Sequence, residues 1–410
     1  MDSYRRLRLH RPLKEISRRV VAKMQRMMNP VFARRPARPG EDHPLIGYYV
    51  DKYVRKSYGT LSQLERGIRL TFPEEHTSVE ILGRLLRSWR AMKMAHGGAP
   101  QAYQITGEWA FIVSHGFQPL LKALDDQDSV SLASVLEAFA HHFGDFVGEP
   151  TDFSSPTMKR YRCDLFRVWS SRWMDLYGEA ALDDAKGPLL GRPIGFLLEQ
   201  GLYTFATFFY NFYARRMADL CSDIQTPTIC EIGGGFGAFA YHLLRRQGGS
   251  FRYLDYDIPP MAILAGYVLL SAFPDRRVML FGEVETLGDP LKDADAAILP
   301  NFALPYLKER YADVGFNSCS FAEMERGTVE EYMRELARIC RHYLLHVNHS
   351  WTPESGNAYY QPSGGFSHWN LSLVEPSATQ FKRLHRIPAP FLSDFYGEFF
   401  EWLYSRKADS

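Results

Sequence analysis

The ten residues Thr228–Gly237, Thr-Ile-Cys-Glu-Ile-Gly-Gly-Gly-Phe-Gly, are the stretch best suited to chemistry. A β-rich run from Thr228 to Ile232 enters the glycines Gly233, Gly234, Gly235 and Gly237, and a helical pattern from Ala238 to Arg246 follows. That is a strand, a tight turn and a helix N-terminus. Glycines there accept positive φ and let a ligand lie against bare main chain. Two ligand classes use such a turn. Gly233, Gly235 and Ala238 satisfy the G-x-G-x-x-G/A pattern that cradles a dinucleotide pyrophosphate. Glu231, Gly233, Gly235 and Gly237 instead form an acidic-x-Gly-x-Gly-x-Gly turn, which suits S-adenosylmethionine (SAM), a ligand carrying an ammonium and a sulfonium. A carboxylate beside a pyrophosphate would set like charges together, so the cationic ligand is preferred.

Further candidates follow at the ends of later strands. Asp257 closes a second strand twenty residues after Gly237, where an acid accepts hydrogen bonds from ribose hydroxyls. Asp255 shares its strand face and competes for the role. Asp257 is favoured because Ile258, Pro259 and Pro260 start the next helix beside it; a surface acid at a strand end is the lesser alternative for each. Pro300, Asn301 and Phe302 offer an adenine an apolar wall and an amide, or form an ordinary loop. Asn317 and Ser318 open a small polar run, Asn317–Met324, which leaves room for a transferred group. In that run Glu323 is either a base or a first-turn helix acid. His349 ends a later strand on the face of Leu345 and Val347 and could take a hydroxyl proton; a structural histidine is the alternative. His368, in a Gly-rich loop, is the next candidate base. His141 and His142 read as structural, and Asp293 with Asp295 is a weak metal pair with no other support for a cation.

The elements that must position these residues divide the 410-residue chain into three stretches. Residues 1–44 read as a basic amphipathic arm and linker: residues 1–40 hold twelve Lys/Arg against Asp2 and Glu15, leaving 36 basic and 45 acidic residues elsewhere. Leu13, Ile16, Val20, Met24 and Met27 recur at helical spacing, so the arm could lie on an anionic membrane or stay solvated or partner-bound. It also has the Arg-rich, acid-poor look of an organelle transit peptide. Residues 45–222 read as a helical cap and acceptor domain. Their stripes are Ile81, Leu85, Trp89 and Met92, then Leu132 to Phe143, then Leu165, Trp169, Trp173 and Leu176, and a long aromatic helix from Leu198 to Leu220. The most apolar segment, Ile194–Tyr213, carries Glu199, Gln200 and Asn211 and is read as a buried helix, not a membrane span.

Residues 223–410 alternate between strand and helix periods, as in βαβ units. Strands are expected at Arg252–Asp257, Asp313–Asn317 and Tyr343–Asn348, with either Arg277–Phe281 or Ala294–Leu299 as the third core strand. The tail, with Trp369, Leu371, Leu373, Phe391, Phe395 and Phe399, should add the last strands and a closing helix. The expected fold is α/β, a Rossmann-like doubly wound sheet with a large N-terminal helical domain. Five widely spaced cysteines and no C-x-x-C pair argue for a reducing, cytoplasmic setting over a zinc cage or disulfide framework. No signal-peptide pattern is seen at the N-terminus, and no nucleic-acid partner is expected.

Taken together, Cys230–Gly237, Asp257-Ile258-Pro259, Asn317–Met324 and Val347-Asn348 resemble the sugar O-methyltransferases of polysaccharide and glycosylated natural-product pathways, a class I SAM-dependent family. The Ser-Phe-x-Glu-Met element and the aromatic lead-in Phe205, Tyr210, Asn211 and Tyr213 carry most of the resemblance, which covers about Phe205–Asn348. It implies metal-free methyl transfer from SAM to a sugar hydroxyl on a polysaccharide, glycolipid or glycosylated natural product. A phenolic or polyketide acceptor is the alternative within methyl transfer. Outside it stand an NAD-linked oxidoreductase, weakened by the lack of a downstream Tyr-x-x-x-Lys pair, and a non-catalytic scaffold of the same fold.

Overall fold

The computed structural model describes residues 68–69, 77–143, 156–193, 195–198, 201–204, 206–246, 250–283, 287–349, 374–392 and 399–408. The basic arm, His368 with its Gly-rich loop, and Trp369, Leu371, Leu373 and Phe395 lie outside them.

Among the described residues a short strand β1 (Ile68–Arg69) precedes seven α-helices: α1 (Val79–His96), α2 (Gly107–Gly116), α3 (Gln118–Asp125), α4 (Ser129–Leu136), α5 (Phe139–Phe143), α6 (Pro156–Tyr177) and α7 (Thr207–Leu220). The Ser78 hydroxyl caps α1 by accepting from the Ile81 amide at 3.2 Å, and Leu85, Trp89 and Met92 turn inward as spaced. The Leu132–Phe143 stripe is buried but divided between α4 and α5. In α6, Trp169 and Trp173 are buried, while Leu176 is 53% exposed and does not join their stripe.

The helix expected over 194–213 is not what forms. Strand β2 (Gly195–Leu198) turns back on β3 (Gly201–Tyr203), pairs with β1 on its other side, and α7 begins only at Thr207. The glycines override the apolar run: a Cβ on Gly195 would lie 2.5 Å from the Tyr203 carbonyl oxygen. Only bare backbone permits that approach.

The remaining strands make one eight-stranded sheet: β4 (Thr228–Ile232), β5 (Arg252–Asp257), β6 (Val278–Leu280), β7 (Ala296–Pro300), β8 (Ala312–Ser318), β9 (Cys340–His349), β10 (Phe381–Pro388) and β11 (Phe399–Arg406). Their order is β10-β11-β9-β8-β4-β5-β7-β6, and β11 alone runs antiparallel to its neighbours. Both candidates for the third core strand are strands. Ala296–Pro300 pairs with β5, and Val278–Leu280 sits outside it at the edge. The tail adds β10 and β11, but no closing helix occurs among the described residues. Phe391 tucks instead against the rings of Trp173, Phe208 and Phe212.

Helix α8 (Ala238–Arg245) follows β4 and α9 (Pro259–Ala272) follows β5, on the same sheet face as α7; α10 (Arg326–Ile339) lies on the other. Neighbouring positions in β8 show the division. Phe316 packs on Tyr213 and Phe239 of α7 and α8, whereas a Cβ on Gly315 would meet Leu336 of α10. α9 is buried from Pro259 to Leu270 because α1 covers the side that the sheet does not. One hydrophobic cluster therefore runs through both helices and sheet across the expected boundary at 222. This is a Rossmann-like, doubly wound α/β fold, preceded by a large helical region. No described helix is long and apolar enough to cross a membrane.

Candidate functional site

Strand order reverses at β4: the chain runs outward through β5 on one side and through β8 on the other. In open parallel sheets a crevice forms beyond the strand C-termini at such a point. Here it brings the Gly233–Gly237 turn beside the Asn317–Glu323 loop. A Cβ on Gly233 would stand 2.6 Å from the Ser320 hydroxyl, and the Asn317 amide donates to the Ile232 carbonyl at 2.8 Å.

The turn is held from below by carboxyls. The Gly234 amide donates to Asp255 Oδ1 at 3.1 Å, and the Gly235 amide to Asp257 Oδ2 at 2.8 Å. The Ile258 amide donates to Asp257 Oδ1 at 2.7 Å. Gly234 must lack a side chain, since a Cβ would strike Asp255 and Tyr253 at 2.6 and 2.8 Å. Gly235, at φ +64°, faces open space: its Cβ would meet only the Met261 methyl, at 4.0 Å. Gly237, at φ +83°, caps α8.

Glu231, in register with Asp255, lies fully buried beneath the turn and accepts from the Tyr253 hydroxyl at 2.5 Å. Burial pushes its carboxyl up to about 8. Desolvation likewise raises Asp255, with the neighbouring Asp257 and Glu231 charges adding to it. Asp257 is also raised by burial, held back by the two amides it accepts from. Asp257 therefore stands at the strand end against the open glycine, and Asp255 is sealed underneath.

Across the switch point, neutral amides do the holding. Asn317 donates to Ser320 Oγ at 2.5 Å and accepts from Asn348 Nδ2 at 2.8 Å; Asn348 in turn accepts from the Ala322 amide at 3.4 Å. Cys319 takes φ +56°, and its amide donates to the Val347 carbonyl at 2.8 Å. Asn317 thus braces the loop with its whole side chain, and Ser318 is buried at the end of β8. The side chain of Asn301 is committed inward too. It donates to the Tyr103 carbonyl and the Tyr332 hydroxyl, both at 3.1 Å, and accepts from the Phe302 amide. The amide expected to read a base is engaged in packing. Pro300 pairs in register with Asp257 at the crevice edge.

Glu323, half-buried in a 3-10 turn, accepts from Trp109 Nε1 at 3.0 Å. Trp109 is on α2, 214 positions away, so the helical region reaches over the loop after β8. His349 is buried at the end of β9, its ring edge-on to Phe399 at 5.5 Å. His346 stacks on Trp402 at 4.6 Å, and burial drives its pKa down to about 3. Asp295 accepts from the Arg277 amide at 2.9 Å, which is the work of a strand-end clamp.

Tyr253 and Trp109 were not singled out by sequence, and Ser320 only as part of the Ser-Phe-x-Glu-Met element. Tyr253 could have been, because it alternates with Asp255 and Asp257 on one strand face. Nothing local marks Trp109.

No family model matches the chain, and no curated protein sequence matches it. Among solved structures, similarity is found to magnesium protoporphyrin IX methyltransferase from Synechocystis PCC 6803 with bound SAH, at 12% identity and a TM-score of 0.35, covering 50% of this chain and 86% of that one. The same enzyme with bound SAM gives 12% identity and a TM-score of 0.33, covering 58% and 97%. Phosphoethanolamine N-methyltransferase 1 of Haemonchus contortus, in complex with phosphoethanolamine and S-adenosylhomocysteine, gives 12% and 0.32, covering 62% and 51%. At TM-scores this low the likenesses carry no argument about this chain, whose fold is read from its own strand order and whose chemistry must be argued from its own crevice.

Proposed function

We propose that this chain is a SAM-dependent O-methyltransferase acting on a sugar hydroxyl in a polysaccharide, glycolipid or glycosylated natural product. The observation that carries the reading is the open backbone at Gly235, whose amide is tied to Asp257 while its Cβ position is vacant to 4.0 Å. A ligand can lie there against main chain with a carboxylate at hand for ribose hydroxyls. The residues fit SAM better than a dinucleotide, because Glu231 and Asp255 stack two more acids beneath the turn, which a cationic ligand can stabilise as carboxylates and a pyrophosphate cannot.

In this reading Glu231, Gly233, Gly235, Gly237, Asp257 and Ile258 form the donor side. Pro300 and Asn301 fix the wall beyond β7, and Asn317 with Ser318 fixes the floor. SAM, when bound, supplies a methyl group already activated by its sulfonium. The chain then has to place an acceptor hydroxyl in line and take its proton. Glu323, steered by Trp109, is assigned the proton, with His349 the second candidate. Aromatic side chains of the helical region supply surfaces on which the apolar face of a sugar can stack.

Thermal shift and calorimetry with SAM against NAD test the donor, and stabilisation by NAD alone would overturn it. Methyl transfer from labelled SAM to glycans and sugar nucleotides, set against phenols, tests the acceptor. Labelled phenols with unlabelled sugars would move the assignment to the phenolic or polyketide alternative.

A further inference from the structure

Beneath the turn sit three carboxyls with no positive charge to balance them among the described residues. Glu231 and Asp255 are register partners on β4 and β5, and Asp257 follows two residues on, so all three occupy the α8 face of the sheet. The other described titratable groups that interact with them are Tyr253 of β5 and Cys319 of the loop after β8 and, from the opposite side of the sheet, Cys230 of β4 and Tyr332 of α10. None of these is a cation, and none of the three acids makes an ion pair among the described residues. Asp255 is fully buried, and its Oδ2 has no hydrogen-bond partner there. Buried carboxylates crowded in this way are costly to ionise together. Directly above lies the open Gly235 cradle.

Resting on the donor assignment above, we propose that binding of the cationic donor is coupled to release of protons from the Glu231–Asp255–Asp257 cluster to solvent. Without ligand the cluster holds protons in place of counter-charge. The ligand's positive groups then supply the counter-charge, and the O–H bonds give up their protons to water. The raised proton affinities of all three acids agree in direction.

Calorimetry with SAM at pH 6.5, in buffers of different ionisation heat, reads the protons directly. The affinity series runs from about pH 5.5 to 7.0, below the range of about 7.7–8.0 where the donor's own α-amino group titrates. The binding heat should track the buffer, with net release close to one proton, and affinity should tighten by up to about tenfold per pH unit. Asp255→Asn keeps an oxygen for the Gly234 amide but removes one acid, so release should fall and the slope flatten. Glu231→Gln gives the same test if Asp255→Asn does not fold. Buffer-independent heat with flat affinity would overturn the coupling while leaving the donor assignment intact. A slope unchanged in both variants would remove it from this cluster. Absence of SAM binding at every pH would overturn the donor assignment, and the coupling with it.

Discussion

Two loops meet at the switch point, and they are held by opposite chemistry. The turn after β4 hangs from carboxyls, with Asp255 and Asp257 accepting from Gly234 and Gly235 and Glu231 beneath. The loop after β8 hangs from neutral groups, with Asn317, Asn348 and Ser320 sharing protons in a chain. A ligand that brings positive charge gains on the first side. A neutral hydroxyl acceptor is better served by the second, where no charge competes for it. The difference also separates what should break each side: steric filling and pH for the turn, loss of an amide for the loop.

The largest expected effect is on the turn. Gly235→Leu should abolish SAM binding in calorimetry and leave the melting temperature close to wild type, because the site is open and the left-handed backbone costs only about 1–2 kcal/mol. Gly234→Ala should do the reverse and destabilise the fold by forcing Asp255 and Tyr253 apart. Unchanged SAM affinity in Gly235→Leu would refute the cradle.

Next comes the proton acceptor over the loop. Glu323→Gln should slow methyl transfer by about 10²-fold while SAM affinity stays fixed. Trp109→Phe should slow it less, since it removes one N–H and keeps the ring. If Glu323→Gln turns over normally, His349→Ala is the next variant and His368→Ala follows. Asn317→Ala should cost about 2–3 kcal/mol in urea unfolding, because it strips partners from Ser320, Asn348 and the Ile232 carbonyl in a buried site. A loss below about 0.5 kcal/mol would mean that water replaces the amide there.

The turn was readable because its constraints are local. Glycines, an acid and a Pro-started helix within thirty residues specify β4, β5 and the crevice. Strand boundaries at 228–232 and 252–257 match the expected limits for the same reason. The loop side was readable only as composition. Its working contacts, Asn317 to Asn348 and Glu323 to Trp109, span 31 and 214 positions, and nothing local records which residue will face which. Asn301 shows the same blindness: an amide at a strand end looks available until the fold turns it toward Tyr103 and Tyr332. The β2–β3 hairpin was missed because the apolar run outweighed glycines whose meaning depends on how closely the two strands approach.

The smallest effect discriminates most finely, because the two sides should lose stability at opposite ends of the pH scale. Glu231, raised to about 8, binds a proton in the folded state that the unfolded chain has already released above about 4.3. That advantage is complete below the unfolded value and shrinks as pH rises toward 8, so unfolding becomes easier with rising pH. His346, on the loop side, is held neutral, with its pKa lowered to about 3 by burial. Its unfolded counterpart takes a proton below about 6.5, so it weakens the fold as pH falls from there and contributes no slope above. Between pH 7 and 8 the histidine is silent, and of the two sides compared it is the turn's acids that titrate. The melting temperature of the ligand-free protein should decline across that window and flatten in Glu231→Gln, while Asn317→Ala lowers the whole curve without changing its slope. A wild-type curve that stays level from pH 7 to 8 would mean that the acids beneath the turn are already ionised, and the charge contrast between the two loops would go with it.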